Sequence, residues 1–553
     1  MAQRISVERD VMVPMRDGVR LATDVYLPPG PGPFPVLLER TPYDKSFAWF
    51  TAGLILNPLV AADRGFAVVV QDARGRARSE GDWVPFVHEA DDGHDAVEWA
   101  AAQDWSTGAV GVFGSSYLGV TSLQAAAAAP PHLRAALAYL TGADYRSGWT
   151  YSGGAFELGF NLWWTSFLAW DTWSRDPGAA GGQETLGALV SVASDWWAAA
   201  RRARLADMPG FDRAAPYWRE WLAHPEPGPF WERVDVTRRA SDIRVPLLHV
   251  AGWYDNFLRG HLDLQAALQE RGDPAVRDHH RFVVGPWDHE AYLSVRPTAA
   301  GSRDFGPPAL GGVNMMTELA LGWFDRWLRD GPDPGLPPVR WFQMGEDDWR
   351  EAPSWPPEGR ERTLHLRSDG HAGTGAGGAL ADEPGPAEPA DAVRHDPTDP
   401  VPTVGGRTLA PIFAPGGVQE QAAIAARPDV LVYTSAPLVR PLRVAGPVSA
   451  VLHVASDREV VDVSAKLVDV APSGTATNVA EGHLRLRTEP GAPVEATVDL
   501  WDVGHTFLPG HAVRLQLAPS NFPRFDLAPG PSTLLVHHDA ERPSRLVLHE
   551  VAR

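Results

Sequence analysis

Two uninterrupted apolar runs, Phe66-Ala67-Val68-Val69-Val70 and Val110-Gly111-Val112-Phe113, each stop abruptly, at Gln71-Asp72 and at Gly114-Ser115-Ser116. Runs of this length without polar alternation fit strands covered on both faces. Between them, residues 91–103 place Ala96, Val97, Trp99 and Ala100 at helical spacing. Residues 19–26 and 34–38 read as further strands. Strand, helix and strand in that order predict an α/β fold built on a doubly wound sheet.

At 553 residues the chain is too long for one core, since single cores stop growing near roughly 250 to 300 residues. Residues 145–239 change character to helical segments that hold ten of the 22 tryptophans, among them Trp149, Trp163, Trp164, Trp218 and Trp221. Aromatics this dense either glue a helical layer onto the sheet or line a pocket. Residues 245–250 and 281–284 then resume the buried-strand pattern, so the helical stretch reads as an inserted cap. Beyond Asp330 come Pro- and Gly-rich punctuation and short alternating strands near 363–366, 430–433, 448–454, 461–468 and 513–517, which predict an all-β sandwich. The apolar-poor stretch 368–388 predicts a long surface loop within it. The expected units are residues 1–144 and 241–345 for the α/β core, 145–240 for the cap and 346–553 for the β-domain.

The absence of cysteine excludes disulfides, thiolate catalysis and Cys-ligated metals. The formal net charge is −20 and the basic residues are scattered, which disfavours nucleic acid as a partner. Of 49 basic residues only Lys45 and Lys466 are lysines. Neither an export signal at the N-terminus nor a membrane-spanning apolar run is apparent, so a soluble, cytoplasmic protein is expected. His279-His280 and Asp288-His289-Glu290 match no strong metal-ligand spacing, and no metal or cofactor is expected. A homo-oligomer stays open.

Gly114-Ser115-Ser116-Tyr117-Leu118-Gly119 lies between a buried strand and the Ala-rich helical pattern 120–129. That is the context of a nucleophile elbow, in which a sharp turn projects a serine Oγ above the sheet. The second glycine is displaced by one position, and Ser115 competes with Ser116 for the role. A serine needs a base, and the base needs an orienting group. In an α/β-hydrolase these follow in the order serine, acid, histidine, on loops after later strands. Asp255 follows the strand ending at Val250, and His289 follows the one ending at Val284. An oxyanion hole would use the backbone N–H of Tyr117. The early loop Glu39-Arg40-Thr41-Pro42-Tyr43-Asp44-Lys45 lacks a glycine run but offers the hydroxyl of Tyr43 as the second donor.

These segments resemble the cocaine esterase and X-prolyl dipeptidyl peptidase (CocE/NonD) family of serine hydrolases. The resemblance is carried by Thr41-Pro42-Tyr43-Asp44-Lys45, Asp72-Ala73-Arg74-Gly75 with Ser79-Glu80-Gly81, residues 105–119 and Gly252-Trp253-Tyr254-Asp255. It continues in Gly285-Pro286-Trp287-Asp288-His289, Asp399-Pro400-Val401-Pro402-Thr403-Val404-Gly405-Gly406 and Leu508-Pro509-Gly510-His511. It implies Ser116 as nucleophile, His289 as base, Asp255 as acid, and an oxyanion hole of the Tyr43 hydroxyl and the Tyr117 N–H. The displaced glycine is usual in that family. It further implies an α/β-hydrolase core, a helical cap and a C-terminal jelly roll. Likeness to the family's cocaine esterases implies an aromatic acyl pocket at Trp149, Trp164 and Phe257. The charged loop from Asp72 to Gly81 is expected to be a structural salt-bridged turn.

The leading expectation is a serine esterase acting on a small-molecule ester through an acyl-enzyme. An alternative within hydrolases is an X-prolyl dipeptidyl peptidase, or an α-amino acid ester hydrolase or acylase. That branch needs carboxylates for a substrate ammonium, and acids in and beside the cap such as Asp144, Glu157 and Asp171 exist. A remote alternative is a noncatalytic carbohydrate-binding protein, against which a complete triad argues.

Overall fold

The computed structural model describes residues 4–47, 55–291, 297–311, 313–373 and 377–552. The first half of the chain builds β1 (Ser6–Pro14), β2 (Arg20–Leu27), β3 (Phe34–Thr41), α1 (Pro58–Asp63), β4 (Ala67–Asp72), α2 (Glu89–Ala101), β5 (Ser106–Ser115), α3 (Tyr117–Ala127) and β6 (Leu133–Tyr139). After the cap and its long helix α4 (Leu158–Arg175) come β7 (Leu247–Tyr254), α5 (Leu258–Arg271), β8 (Arg281–Asp288), α6 (Val313–Arg329), β9 (Val339–Gln343) and β10 (Asp348–Ala352). The strands form one sheet in the order β1-β2-β4-β3-β5-β6-β7-β8-β9-β10. From β4 to β9 all neighbours are parallel, and antiparallel strands flank them.

Alternation along the strands sets the two faces. Val36 and Leu38 of β3 join a core with α2 and α3, whereas Leu37 points into a second core with Phe113 and the α6 residues Met316, Ala320 and Phe324. Helices therefore cover both sides, as in an α/β-hydrolase core. Two of these strands run further than the apolar runs indicate. β7 extends beyond Val250 because Ala251-Gly252-Trp253-Tyr254 is still buried, and β8 extends beyond Val284 to Asp288. The sheet also continues past residue 345, because β10 pairs antiparallel with β9.

In the cap, Trp149, Trp164, Trp218, Trp221 and Trp231 are buried in the same hydrophobic cluster as Tyr117 and Phe257 of the core, while Trp170 and Trp197 are exposed. Helical layer and sheet thus share one interior. No helix among the described residues is long and apolar enough to cross a bilayer.

The C-terminal region is β-rich. Its sheet comprises β11 (Gly359–Arg367), β12 (Gly378–Ala381), β13 (Asp391–His395), β14 (Leu431–Ser435), β15 (Leu442–Ser456), β16 (Val460–Val470), β17 (Ala476–Arg487), β18 (Val494–Phe507), β19 (Ala512–Ala518), β20 (Ser532–His537) and β21 (Arg545–Val551). Residues such as Val444, Val463, Val498, Leu515 and Leu548 meet in one core. The stretch 368–388 is not a loop throughout. β12 pairs antiparallel with β11 and parallel with β14, anchored by the buried Leu380, while residues 374–376 lie outside the described residues. A strand made of Gly, Ala and one leucine carries too little apolar pattern to be recognised from sequence.

Buried charges lock this domain onto the rest. Arg524 donates from Nη2 and Nε to Glu157, just ahead of α4, at 3.2 and 3.3 Å, and from Nη1 to Glu481 on β17. Among the described residues Arg407 donates its guanidinium hydrogens to backbone carbonyls: Trp253 of β7 at 3.0 Å, Glu481 at 3.0 Å, Leu500 at 2.9 Å and Asp502 at 3.2 Å. Removing Arg524 would take the guanidinium from two buried carboxylates, and breaking a buried ion pair typically costs about 3–5 kcal/mol. An Arg524→Met variant is expected to lose stability on that order in urea unfolding. A loss below about 1 kcal/mol would contradict the clamp.

Candidate active site

Ser116 stands between β5 and α3 with φ +54° and ψ −128°, and it makes no side-chain capping bond to the helix, so Oγ is left for another partner. Glycines make the turn feasible. A Cβ on Gly114 would lie 2.2 Å from the Leu118 carbonyl oxygen, and one on Gly119 would lie 2.7 Å from Cβ of Thr141. The second glycine is needed at 119 because that residue, one turn into the helix, faces the loop after β6. Ser115 is fully buried and its Oγ has no hydrogen-bond partner among the described residues, whereas Ser116 is half-buried.

His289 Nε2 lies 3.0 Å from Ser116 Oγ, and its Nδ1 lies 2.8 Å from Oδ1 of Asp255. Asp255 has no exposed surface and His289 is 4% exposed, so the pair is screened from water. Each side chain leaves the C-terminal end of its own parallel strand, β5, β7 and β8, where open α/β sheets build their sites. Trp287, two residues before the histidine, holds the end of β8 by donating from Nε1 to the Ala309 carbonyl at 2.8 Å.

The loop after β3 carries Tyr43 alongside. The Tyr43 N–H donates to Thr41 Oγ1, the Lys45 N–H donates to Asp72, and Lys45 Nζ contacts Asp10 at 2.6 Å and Asp24 at 3.1 Å. Arg76 is fully buried, donates from Nε to the Pro42 carbonyl at 2.9 Å, pairs with Asp171 of α4 at 2.8 Å and stacks over Trp83. The charged loop from Asp72 to Gly81 is thus structural as expected, and what it braces is the Tyr43 loop. The Tyr43 hydroxyl accepts a hydrogen bond from Trp164 Nε1 at 2.9 Å. Burial, partly offset by hydrogen bonding at its oxygen, pushes its pKa up to about 12. The Tyr117 ring is fixed by donating to Glu89 and accepting from the Phe86 N–H. Its own N–H lies in the first turn of α3, where no intrahelical acceptor exists.

Of the three aromatics expected at an acyl pocket, Phe257 meets the edge of His289 at 4.9 Å and Trp149 stacks on Phe257 at 3.9 Å. Trp164 reaches Tyr43. All three are buried within the shared core. Of the three acids in and beside the cap, Glu157 is held by Arg524 and Ser152 and Asp171 by Arg76, while Asp144 accepts the Arg146 N–H. No group of three or more His, Cys, Asp or Glu side chains arranged to hold a metal ion occurs among the described residues.

A buried histidine pair beneath the elbow escaped sequence reasoning. Thr141 donates from Oγ1 to the Ser116 carbonyl at 2.6 Å and from its N–H to His261 Nε2 at 3.0 Å. His261 Nε2 is therefore the acceptor nitrogen and its proton sits on Nδ1, facing His249 Nδ1 at 3.4 Å. That leaves His249 Nε2 as the donor to Gln265 at 2.8 Å. A histidine inside an otherwise apolar strand was the available signal. Burial holds His249 down to about 3 and His261 well below its ordinary value. The unfolded chain therefore binds more protons below about pH 6.5, and stability falls as pH drops through that window, by up to about 1.4 kcal/mol per pH unit for one such group. His249→Gln is expected to flatten the fall in unfolding free energy between pH 6 and 4. Parallel slopes for variant and parent would contradict a neutral His249.

Comparison with known proteins bears on this geometry. Residues 17–291 match the family described as X-Pro dipeptidyl-peptidase (S15 family), and residues 334–547 match the X-Pro dipeptidyl-peptidase C-terminal non-catalytic domain. The chain is 36% identical to cocaine esterase from Rhodococcus sp. (strain MB1 Bresler), with 99% of each sequence covered. Among solved structures, an aminopeptidase from the marine sediment archaeon Thaumarchaeota archaeon superposes with TM-score 0.81 at 25% identity, covering 99% of this chain and 96% of that one. An α-amino acid ester hydrolase superposes with TM-score 0.79 at 24% identity, covering 99% and 97%, and supports the fold alone.

Proposed function

The chain belongs to the cocaine esterase and X-prolyl dipeptidyl peptidase family and is a serine ester hydrolase, and we propose that Ser116, His289 and Asp255 carry its chemistry on esters with a neutral acyl group. The observation that supports this most is the 3.0 Å contact from His289 Nε2 to Ser116 Oγ on a strained elbow. His289 takes the Oγ proton as Ser116 attacks the ester carbonyl carbon. Negative charge gathers on the carbonyl oxygen, where the Tyr43 hydroxyl and the Tyr117 N–H receive it. His289 returns its proton to the departing alcohol, leaving an acyl-Ser116. Water then attacks with His289 as base and the acid is released. Asp255 fixes the imidazole tautomer and stabilises the imidazolium.

In this reading the two core segments, 1–144 and 241–345 together with β10, supply the reacting groups, the cap 145–240 supplies the walls, and the rest of 346–553 braces both. Trp149, Trp164 and Phe257 surround the acyl group. The choice of a neutral acyl group over an aminoacyl or X-Pro substrate rests on the pairing of Glu157 with Arg524 and of Asp171 with Arg76, which takes two cap carboxylates away from a substrate ammonium. The setting we assign is cytoplasmic, and the net charge of −20 speaks against nucleic acid as a partner.

Two experiments test the assignment. Ser116→Ala should abolish hydrolysis of p-nitrophenyl acetate and benzoate while leaving the thermal melt intact. Across a panel, those neutral esters should exceed α-aminoacyl esters and X-Pro p-nitroanilides in kcat/KM by on the order of 10²-fold. A higher kcat/KM on the cationic substrates would favour the peptidase or aminoacyl branch. For the oxyanion hole, Tyr43→Phe should lower kcat by about 10²–10³ with little change in substrate binding. A kcat within about threefold of the parent, on an ester whose chemistry is rate-limiting, would remove Tyr43 from this role.

A further inference from the structure

A tyrosine hydroxyl is an awkward oxyanion donor. Backbone N–H groups are fixed in direction, but a phenolic proton can turn toward any nearby acceptor, and the oxygen can itself accept. Something must hold that proton toward the reacting oxygen before charge develops there, since preorganisation is what such a donor contributes. Trp164 Nε1 lies 2.9 Å from the Tyr43 oxygen, and an indole nitrogen can only donate. The bond therefore occupies an acceptor site on Tyr43 and denies the phenolic proton that direction.

Trp164 is itself held rigidly. Its ring is 4% exposed, lies parallel to Trp221 at 6.3 Å, stacks with Tyr117 at 5.8 Å, and meets the edges of Trp149 at 5.7 Å and Trp83 at 6.0 Å. It rides on α4, whose start is clamped through Glu157 to Arg524. We propose that Trp164 is a positioning residue of the oxyanion hole, fixing the direction of the Tyr43 O–H through its indole N–H, in addition to any part it plays as an acyl-pocket wall. The inference rests on the reading of Tyr43 as an oxyanion donor. Donation into the phenol oxygen also makes the remaining O–H more acidic, which works in the same direction.

A double-mutant cycle tests it. Trp164→Phe keeps an aromatic ring and removes the donor, and it should lower kcat by about 3- to 10-fold with KM within about twofold, the range expected for one neutral hydrogen bond. In the Tyr43→Phe background the same change should have almost no further effect, because the group it acts through is gone. Since Trp164→Phe also leaves a cavity, replacement of Trp164 by 3-benzothienylalanine, nearly isosteric with tryptophan but without the N–H, should reproduce the kcat loss with an unchanged melt. Additive effects of Trp164→Phe and Tyr43→Phe would overturn the proposal, as would full kcat in the benzothienyl enzyme. If Tyr43→Phe alone leaves kcat intact, the oxyanion reading fails first and this inference falls with it.

Discussion

Ser116 is held at φ +54°, a conformation that costs an L-residue on the order of 1–3 kcal/mol and persists only where its surroundings impose it. Those surroundings account for much of the core's design. Gly114 and Gly119 remove the side chains that would collide with Leu118 and Thr141, the parallel neighbour β6 accepts the Ser116 N–H at the Tyr139 carbonyl, and Thr141 holds the Ser116 carbonyl. Beneath Thr141, two neutral histidines carry the hydrogen bonding down to Gln265. The elbow is thus fixed from the sheet side before any catalytic partner reaches it.

The proposed acid and Trp164 stand on separate elements, and the C-terminal domain contacts both. Arg407 binds the carbonyl of Trp253, two residues ahead of Asp255, while Arg524 grips Glu157 at the foot of the helix that carries Trp164. Both arginines meet at Glu481, so the acid strand and the aromatic wall share one buried anchor. A domain described in its family as non-catalytic therefore contacts both the strand that leads to the proposed acid and the helix that carries Trp164. The spacing of catalytic groups matters because hydrogen-bonded proton transfer tolerates errors of only a few tenths of an ångström.

The parallel sheet and the order of Ser116, Asp255 and His289 were legible because each follows a buried strand whose apolar run is visible locally. The strand ends were less legible: Ala251-Gly252-Trp253-Tyr254 and Gly285-Pro286-Trp287 continue the sheet without β-branched residues. The choice between Ser115 and Ser116 was not readable from the pentapeptide alone, since it depends on which side of the turn faces solvent. Thr141, His249 and His261 escaped because their roles depend on contacts between separate strands and helices. Arg524 and Glu157 are 367 positions apart and leave no periodic trace. Strand β12 was hidden for the opposite reason: its pairing is local, but Gly-Ala-Leu-Ala has no pattern to distinguish it from a linker.

Everything catalytic in this account passes through a covalent acyl-Ser116. The most direct measurement mixes the enzyme with p-nitrophenyl trimethylacetate, whose hindered acyl group slows deacylation, quenches in acid during the burst, and maps the added mass after digestion. The account predicts a single trimethylacetyl group per chain on Ser116, formed as fast as p-nitrophenol is released. An adduct on Ser115, or p-nitrophenol release with no acylated serine at any time in the burst, would contradict it.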